Sequence, residues 1–146
     1  MDSFLGTYRL EKSEYFDEYL TLKGVPWIFR KLIMASYVTL NLERLDGNTY
    51  SAISKSAVNT TAYKFQLDKP FEEKGFDGKM HRITFQIVDG QLYETHHRFE
   101  DPEHKDSTDV WRYEPHGDYL ILHLERENIH AKRYFKKQPQ HDRDKS

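Results

Sequence analysis

Three extended runs near the carboxyl end of the chain decide the fold: residues 108–114 (TDVWRYE), 119–125 (YLILHLE) and 128–137 (NIHAKRYFKK). They contain aromatic and β-branched residues, which favour strands. The segments between them, residues 115–118 (PHGD) and 126–128 (REN), are typical of hairpin turns. We therefore predict three consecutive antiparallel strands.

These strands carry basic and phenolic side chains that could act together. Arg112 lies on the first run, and Lys132 and Tyr134 lie two residues apart on the last, so they share one face of a strand. On the outside of a sheet such residues are ordinary surface groups, whereas inside a cavity they would bind an anion. Alternation alone predicts that the opposite, apolar face of the last run points inward. That face carries Ile129, Ala131 and Phe135.

The composition of the chain limits the functions that it can have. The 146 residues suit one domain, and a net charge of −2 gives no field that favours nucleic acid. There is no cysteine, no apolar leader and no run of roughly 20 apolar residues, so we expect a soluble cytoplasmic protein. Eight histidines show no metal-ligand spacing, and no nucleophile elbow, phosphate loop or catalytic carboxylate pair is present. We expect neither a metal site nor an enzyme.

The amino-terminal third predicts a strand followed by two helices. Residues 4–12 alternate as a strand does, and Ser13 before an acidic turn is typical of a helix N-cap. Gly24 ends this helix, and Pro26 suits the first turn of a second helix that runs to about Ser36. The second helix is apolar over much of its circumference, which is typical of a helix that faces apolar material.

From Tyr37 onward the hydrophobic period is close to two. Hairpin turns are predicted at residues 46–48 (DGN) and 89–90 (DG), and the count is about nine strands after the helix pair. A long antiparallel meander protects its edges by closing into a barrel, and about ten strands leave a cavity that the helix pair can cap. A filled barrel or sandwich is the alternative.

We expect one domain, residues 1–137, with a polar loop at 100–107 and a disordered polar tail at 138–146.

The chain resembles a known family in several places. Residues 4–10 (FLGTYRL) are similar to an amino-terminal signature Phe-x-Gly-x-Trp/Tyr-x-Leu, and residues 14–20 (EYFDEYL), 24–25 (GV) and 30–32 (RKL) match a helix pair. Residues 65–67 (FQL) and 71–73 (FEE) match middle strands. On these segments the chain resembles, from Phe4 to about Lys136, the intracellular lipid-binding proteins, that is, the fatty-acid-binding and cellular retinoid-binding proteins.

The resemblance implies an all-β fold, a ten-stranded antiparallel β-barrel or clamshell with a helix-turn-helix lid between strands 1 and 2. It implies a non-covalent long-chain fatty acid as ligand and no other cofactor. An arginine on strand 8 and an Arg-x-Tyr pair on strand 10 hold the carboxylate in many members. A spacing of twenty residues from Arg112 leads to Lys132, with Tyr134 completing the pair and Arg133 as the alternative interior cation. Replacement of Arg112 is then expected to weaken fatty-acid binding.

The resemblance also implies a cavity and portal set: Phe16, Tyr19, Trp27, Ile28, Val58 and Phe76. Arg30 and Lys31 match basic lid residues that contact anionic membranes or serve nuclear import in some members, although a solvated charge pair is the more ordinary meaning. The expected protein is a monomeric carrier in the cytoplasm, with the nucleus as a further location. The alternatives are a lipid-signalling chaperone that docks a nuclear receptor, and a carrier of a retinoid or another hydrophobic ligand.

Overall fold

The computed structural model describes residues 1–99 and 108–139, so the predicted loop at 100–107 and the tail from residue 140 onward lie outside the described residues. A 3₁₀ turn, Asp2–Phe4, precedes the first strand. The helices are α1 (Phe16–Leu22) and α2 (Trp27–Ala35). The strands are β1 (Gly6–Glu14), β2 (Val38–Asp46), β3 (Thr49–Ser56), β4 (Thr60–Gln66), β5 (Phe71–Lys74), β6 (Met80–Val88), β7 (Gln91–Arg98), β8 (Thr108–His116), β9 (Tyr119–Arg126) and β10 (Ile129–Lys137).

All ten strands form one antiparallel sheet that curls into a nearly closed barrel. The order is β4-β3-β2-β1-β10-β9-β8-β7-β6-β5, so the first strand pairs with the last. The two ends of this order, β4 and β5, are consecutive in the chain but are not hydrogen-bonded neighbours. The predicted ten-stranded barrel with a helix pair between strands 1 and 2 is confirmed.

Local turn chemistry explains the strand boundaries. Asp89 and Gly90 both have positive φ, at 51° and 76°, as in the type I′ turns that match the twist of a two-stranded hairpin. Gly47 also has positive φ, at 50°, in the predicted turn after β2. Because these turns are short, each following strand pairs directly with the one before it.

The first helix begins later than predicted. Ser13 lies inside β1 and pairs with Arg133 of β10, and Tyr15, with φ 57°, is the residue before α1. The ladder between β1 and β10 has an irregularity between Leu10 and Lys12, and such a bulge changes which side chains face inward. Closure of the barrel needs this extended β1, and the expected N-cap at Ser13 is therefore wrong.

Aromatic side chains fill part of the barrel. The rings of Phe65 and Phe85 stack with centroids 4.0 Å apart, and Phe71 and Tyr63 pack against Phe85. A cavity remains beneath the helices, so the alternative of a filled barrel is excluded. Neither helix of the described part of the chain is long and apolar enough to cross a membrane.

We expect Phe85→Ala to lower the free energy of unfolding by about 3–5 kcal/mol, because it removes a fully buried ring from this stack. Val88→Ala on the same strand should change it by no more than about 0.5 kcal/mol, because Val88 is exposed. Urea unfolding of the two variants measures the difference, and similar midpoints would contradict the packing described.

Candidate ligand-binding cavity

A cavity with a volume of about 870 Å³ lies between the helices and the barrel wall. Most of its lining is apolar. Phe16, Tyr19 and Leu20 of α1 cover it, and Phe29 and Ile33 of α2 face it from the lid. The barrel wall adds strand residues that point inward: Val38, Leu40, Ala52, Leu122, Leu124 and Phe135. A space of this size and chemistry suits a small hydrophobic molecule.

Four of the six predicted cavity and portal residues line this space: Phe16, Tyr19, Val58 and Phe76. Trp27 and Ile28 do not, since they are 59% and 58% exposed on the outer side of α2. On a helix, residues four apart share a face, and the inner face of α2 is formed by Phe29 and Ile33. Trp27 and Ile28 therefore do not line the cavity, and their expected portal role stays a prediction.

The predicted carboxylate-binding set lies on the outer face of the barrel. Arg112, His123 and Lys132 are neighbours across β8, β9 and β10. Arg112 donates to the Gln91 Oε1 atom at 2.7 Å, and its guanidinium lies 3.7 Å from Glu125. The expected interior position of Arg112 and Lys132 is wrong because the inward-facing row is the adjacent one.

Tyr134 lies on the same outer face. Its hydroxyl donates to Glu14 of β1, and the Lys12 ammonium lies 4.5 Å from the centroid of its ring. Side chains alternate between the two faces of a strand, so Tyr134 and Lys132 point away from the cavity together. The interior position expected for Tyr134 is wrong for the same reason.

Arg133, the alternative that the sequence leaves open, is a cation that faces the cavity. It belongs to an inward row with Tyr113 and Leu122 and is 8% exposed. Its Nε donates to the Ser13 Oγ atom at 3.0 Å, and its guanidinium carbon lies 4.0 Å from the centroid of the Phe16 ring. A positive charge therefore does face the cavity, although it comes from a different residue than Arg112.

Burial of Arg133 leaves it able to receive an anion. Burial lowers the pKa of Arg133 to about 10, so the guanidinium stays charged at neutral pH. It pairs with no carboxylate among the residues that the structure describes. A guanidinium has five N–H donors, and a buried cation with unfilled donors is costly unless a partner neutralises it. A carboxylate in the cavity would supply that partner.

The strands near this cation in the sheet carry a polar pair. The Tyr113 hydroxyl donates to the Glu94 Oε1 atom at 3.0 Å, and both residues line the cavity. Burial raises the pKa of Tyr113 well above its ordinary value, so the phenol remains a donor. Burial and the nearby Glu94 charge raise the pKa of Tyr63 in the same wall. The sequence pattern gave no signal for this cluster because its members lie on different strands.

Polar contacts attach the lid to the barrel. The Lys23 ammonium donates to both carboxylate oxygens of Asp109 at 2.7 Å, and the Trp111 Nε1 donates to the Tyr19 hydroxyl at 3.2 Å. Burial lowers the pKa of Lys23, and its contact with Asp109 opposes part of that shift. Burial also raises the pKa of Tyr19 to about 12. The carboxyl end of α1 is thus held to β8.

The basic pair on α2 is divided between two environments. Arg30 is half-buried, with its Nε 3.0 Å from the Asp17 Oδ1 atom and an N–H donated to the Val25 carbonyl oxygen at 2.9 Å. Lys31 is exposed and lies 5.0 Å from the centroid of the Trp27 ring. Arg30 therefore connects the two helices, while Lys31 is available to other molecules.

The fold and the cavity together define a lidded β-barrel that encloses a hydrophobic ligand site. No protein-family model matches the chain. The chain is 37% identical over 138 residues to fatty acid-binding protein homolog 3 of Caenorhabditis elegans, which covers 93% of this chain and 82% of the relative. It is 33% identical over 142 residues to a fatty acid-binding protein homolog of Ascaris suum, covering 94% and 85%. A cellular retinoic acid-binding protein of Pelodiscus sinensis matches 80 residues at 35% identity, 54% of this chain and 58% of that protein.

Solved structures agree with these sequence matches. As-p18, described as an extracellular fatty acid binding protein, superposes with a TM-score of 0.86 at 33% identity, covering 94% of this chain and 97% of that one. A Schistosoma mansoni fatty acid binding protein in complex with arachidonic acid gives a TM-score of 0.80 at 25% identity, covering 95% and 98%. The chain belongs to the fatty-acid-binding proteins, within the intracellular lipid-binding family.

We expect Lys23→Met to lower the free energy of unfolding by about 1–3 kcal/mol, because it leaves the buried Asp109 with Arg98 as its remaining close partner. Lys55→Met, at an exposed position on β3, should change it by no more than about 0.5 kcal/mol. Chemical denaturation measures both, and an unchanged stability in Lys23→Met would show that the ion pair does not anchor the lid.

Proposed function

We propose that this protein binds a long-chain fatty acid in its cavity, solubilises it and carries it to membranes, enzymes or receptors. The observation that supports this most is a buried cation, Arg133, without a carboxylate partner among the described residues, in a cavity whose remaining lining is mostly apolar. A molecule with one carboxylate and a long alkyl chain complements both parts. The names of the relatives that match most of the chain agree with this ligand class.

The alkyl chain supplies most of the proposed affinity. A sixteen-carbon acid buries about fifteen carbons at roughly 0.8 kcal/mol each, a gross gain of about 12 kcal/mol. Association and ordering costs offset several kcal/mol, which leaves dissociation constants in the micromolar to nanomolar range. The head group then selects acids over neutral lipids more than it determines the total affinity.

We place the ligand carboxylate at Arg133. Ser13 fixes the guanidinium through Nε, so the outer N–H groups remain to donate to the ligand. Hydrogen bonds between two charged groups are the strong ones, and a bidentate Arg–carboxylate contact also fixes the orientation of the ligand. The Phe16 ring below the guanidinium adds a cation–π contact from the lid.

We expect Arg133→Gln to weaken fatty-acid binding about 10- to 100-fold, because a charge-assisted hydrogen bond is lost. Arg112→Gln is the matched control on the outer face and should change the affinity less than about twofold. Displacement of a fluorescent fatty acid from delipidated protein measures both variants, and binding of an uncharged apolar dye should be retained in each.

Two outcomes would contradict the assignment. Unchanged fatty-acid affinity in Arg133→Gln would show that the carboxylate binds elsewhere. Loss of affinity in Arg112→Gln alone would show that the ligand head group binds on the outer face of the barrel. Native mass spectrometry of freshly purified against delipidated protein gives an independent test, since a carrier should show a bound mass in the first sample.

The lid offers a surface for delivery to membranes. Trp27, Ile28 and Leu32 expose apolar side chains on the outside of α2, and Lys31 lies among them. Aromatic and aliphatic groups beside a cation favour contact with an anionic bilayer surface. We propose that this face makes a transient contact with membranes, and that the protein acts as a monomeric carrier rather than an enzyme. A cytoplasmic location fits this role, although the neighbour As-p18 is described as extracellular.

We expect Lys31→Glu to slow transfer of a bound fluorescent fatty acid to anionic vesicles several-fold, because each basic residue near such a surface contributes about 1 kcal/mol. Transfer to uncharged vesicles should change little, which separates membrane attraction from damage to the lid. Equal transfer rates to anionic vesicles for wild type and Lys31→Glu would show that the proposed membrane contact is wrong.

A further inference from the structure

A line of polar groups, buried except at its Asp77 end, runs from the cavity wall to the turn between β5 and β6. The Asp77 Oδ1 and His81 Nε2 atoms lie 2.9 Å apart, and the Nδ1 atoms of His81 and His96 lie 2.8 Å apart. The His96 Nε2 atom then lies 2.5 Å from the Glu94 Oε2 atom. We call these four residues the Asp77–Glu94 chain.

The chain is enclosed by the fold. His81 and His96 are fully buried, and Glu94 is 5% exposed. The His81 ring packs directly on Gly75, where an added Cβ would lie 2.2 Å from the His81 Cε1 atom. These polar side chains therefore satisfy one another inside the protein, as buried polar groups must.

A count of protons constrains the chain. It has three hydrogen-bonded contacts among four groups, so it needs three protons, one in each contact. Two neutral imidazoles bring one N–H each, and two ionised carboxylates bring none. With only two protons, one contact would have no proton, so that two bare ring nitrogens, or a carboxylate oxygen and a bare ring nitrogen, would face each other. The complete chain therefore holds a third proton.

The surroundings locate this proton. Burial would raise the pKa of Asp77, but the Lys79 backbone N–H, the Arg98 charge and the hydrogen bond from His81 lower it overall, so Asp77 remains an anion. Burial lowers the pKa of His81, which favours a neutral ring that donates its Nε2–H to Asp77.

The order of the remaining protons follows from this tautomer. The bare Nδ1 atom of His81 must accept from the Nδ1–H of His96. The His96 Nε2 atom then meets Glu94, and the third proton belongs to that contact. Whether it is drawn on the imidazole or on the carboxyl group, the pair as a whole is neutral.

We propose that the His96–Glu94 pair is a proton-binding site in the cavity wall, and that the bound proton is a co-ligand of the fatty-acid anion. This rests on the proposed function of the cavity. With the proton held, Arg133 supplies the charge that a ligand carboxylate meets. Without it, Glu94 adds one negative charge to the same cavity and opposes the bound anion.

Two other carboxylates near the pair are already matched by cations. Asp77 meets Arg98 at 3.0 Å, and Asp109 on β8 is contacted by Lys23 and Arg98 and lies 3.9 Å from Arg126. On the cavity side the pair faces phenols, with Tyr113 on β8 donating to Glu94 and Tyr63 on β4 lying edge-on to His96. Glu73 on β5 also lines the cavity, and on β6 the facing group is His81. The His96–Glu94 pair is thus the place where loss of a proton adds unmatched charge.

The first test measures fatty-acid affinity between about pH 6 and about pH 9, below the range in which Arg133 loses its charge. We expect the affinity of the wild type to fall about five- to tenfold as pH rises. This is the size of the repulsion between a unit charge on Glu94 and the ligand carboxylate, about three strand spacings apart, at an effective dielectric constant of about 20. Glu94→Gln keeps the shape of the side chain but carries no charge, and its profile should be flat. His97→Gln, a change at an exposed histidine beside the chain, should keep the wild-type profile.

A second test uses the ligand-free wild type, so that it does not depend on a variant or on fatty-acid binding. Nitrogen-15 NMR of the histidine rings at about pH 7 should show His96 with Nδ1 protonated and a proton shared at Nε2, and His81 as the neutral Nε2–H tautomer. A neutral His96 ring in which either Nδ1 or Nε2 is bare and shares no proton would overturn the proton-binding site.

The two tests separate the proposals. If the protein fails to bind fatty acids at every pH while NMR shows the third proton, the proposed function is wrong and the proton site stands. If fatty acids bind with the same affinity across the pH range, the coupling between proton and ligand is wrong. A pH-dependent Glu94→Gln variant would likewise assign the effect to another group.

Discussion

The structure depends on the pairing of the first strand with the last. Once β1 lies against β10, the sheet curls into a barrel instead of remaining an open meander, and a cavity forms beneath the helices. The same pairing sets Ser13 beside Arg133, so it both encloses the cation and supplies its one hydrogen-bonded side-chain partner among the described residues. Because this contact joins residues 120 positions apart, it is set by the global topology and not by any local signal.

Features that arise within a few residues could be predicted from the sequence. The turns at residues 46–48 and 89–90, the period of two after Tyr37 and the helix pair before it are local patterns, and the structure contains each of them. Ser13 is a position at which the local sequence alone predicts the wrong structure. In isolation it suits a helix cap, but the ladder to β10 extends β1 through Glu14, and tertiary pairing outweighs the capping preference.

The spacing argument places the interior cation one residue away from Arg133 for a specific reason. The spacing of twenty between Arg112 and Lys132 constrains the two positions relative to each other, and their neighbours across β9 are indeed shared. It does not say which face of the sheet both occupy, and a shift of one residue reverses the face of each. The apolar alternation of Ile129, Ala131 and Phe135 carried the correct information, since their face includes Arg133 and points inward. The polar cluster around Glu94 had no such signal, because it joins residues from β6, β7, β8 and a turn.

The polar groups in the cavity wall lower the stability of the fold, and a well-packed core would not need them. A buried guanidinium and a buried line of carboxylates and imidazoles could be replaced by apolar side chains of similar volume without loss of stability in many proteins. Arg133 is incompletely matched by protein groups in the described chain, whereas each group of the Asp77–Glu94 chain has a partner. The first arrangement leaves an interaction for a ligand to complete, and a ligand that completes it stabilises the folded state by an amount that rises with the logarithm of its concentration. The second arrangement keeps the neighbouring part of the cavity wall neutral, so that the positive charge of Arg133 is not offset by a negative one where an anionic head group would bind.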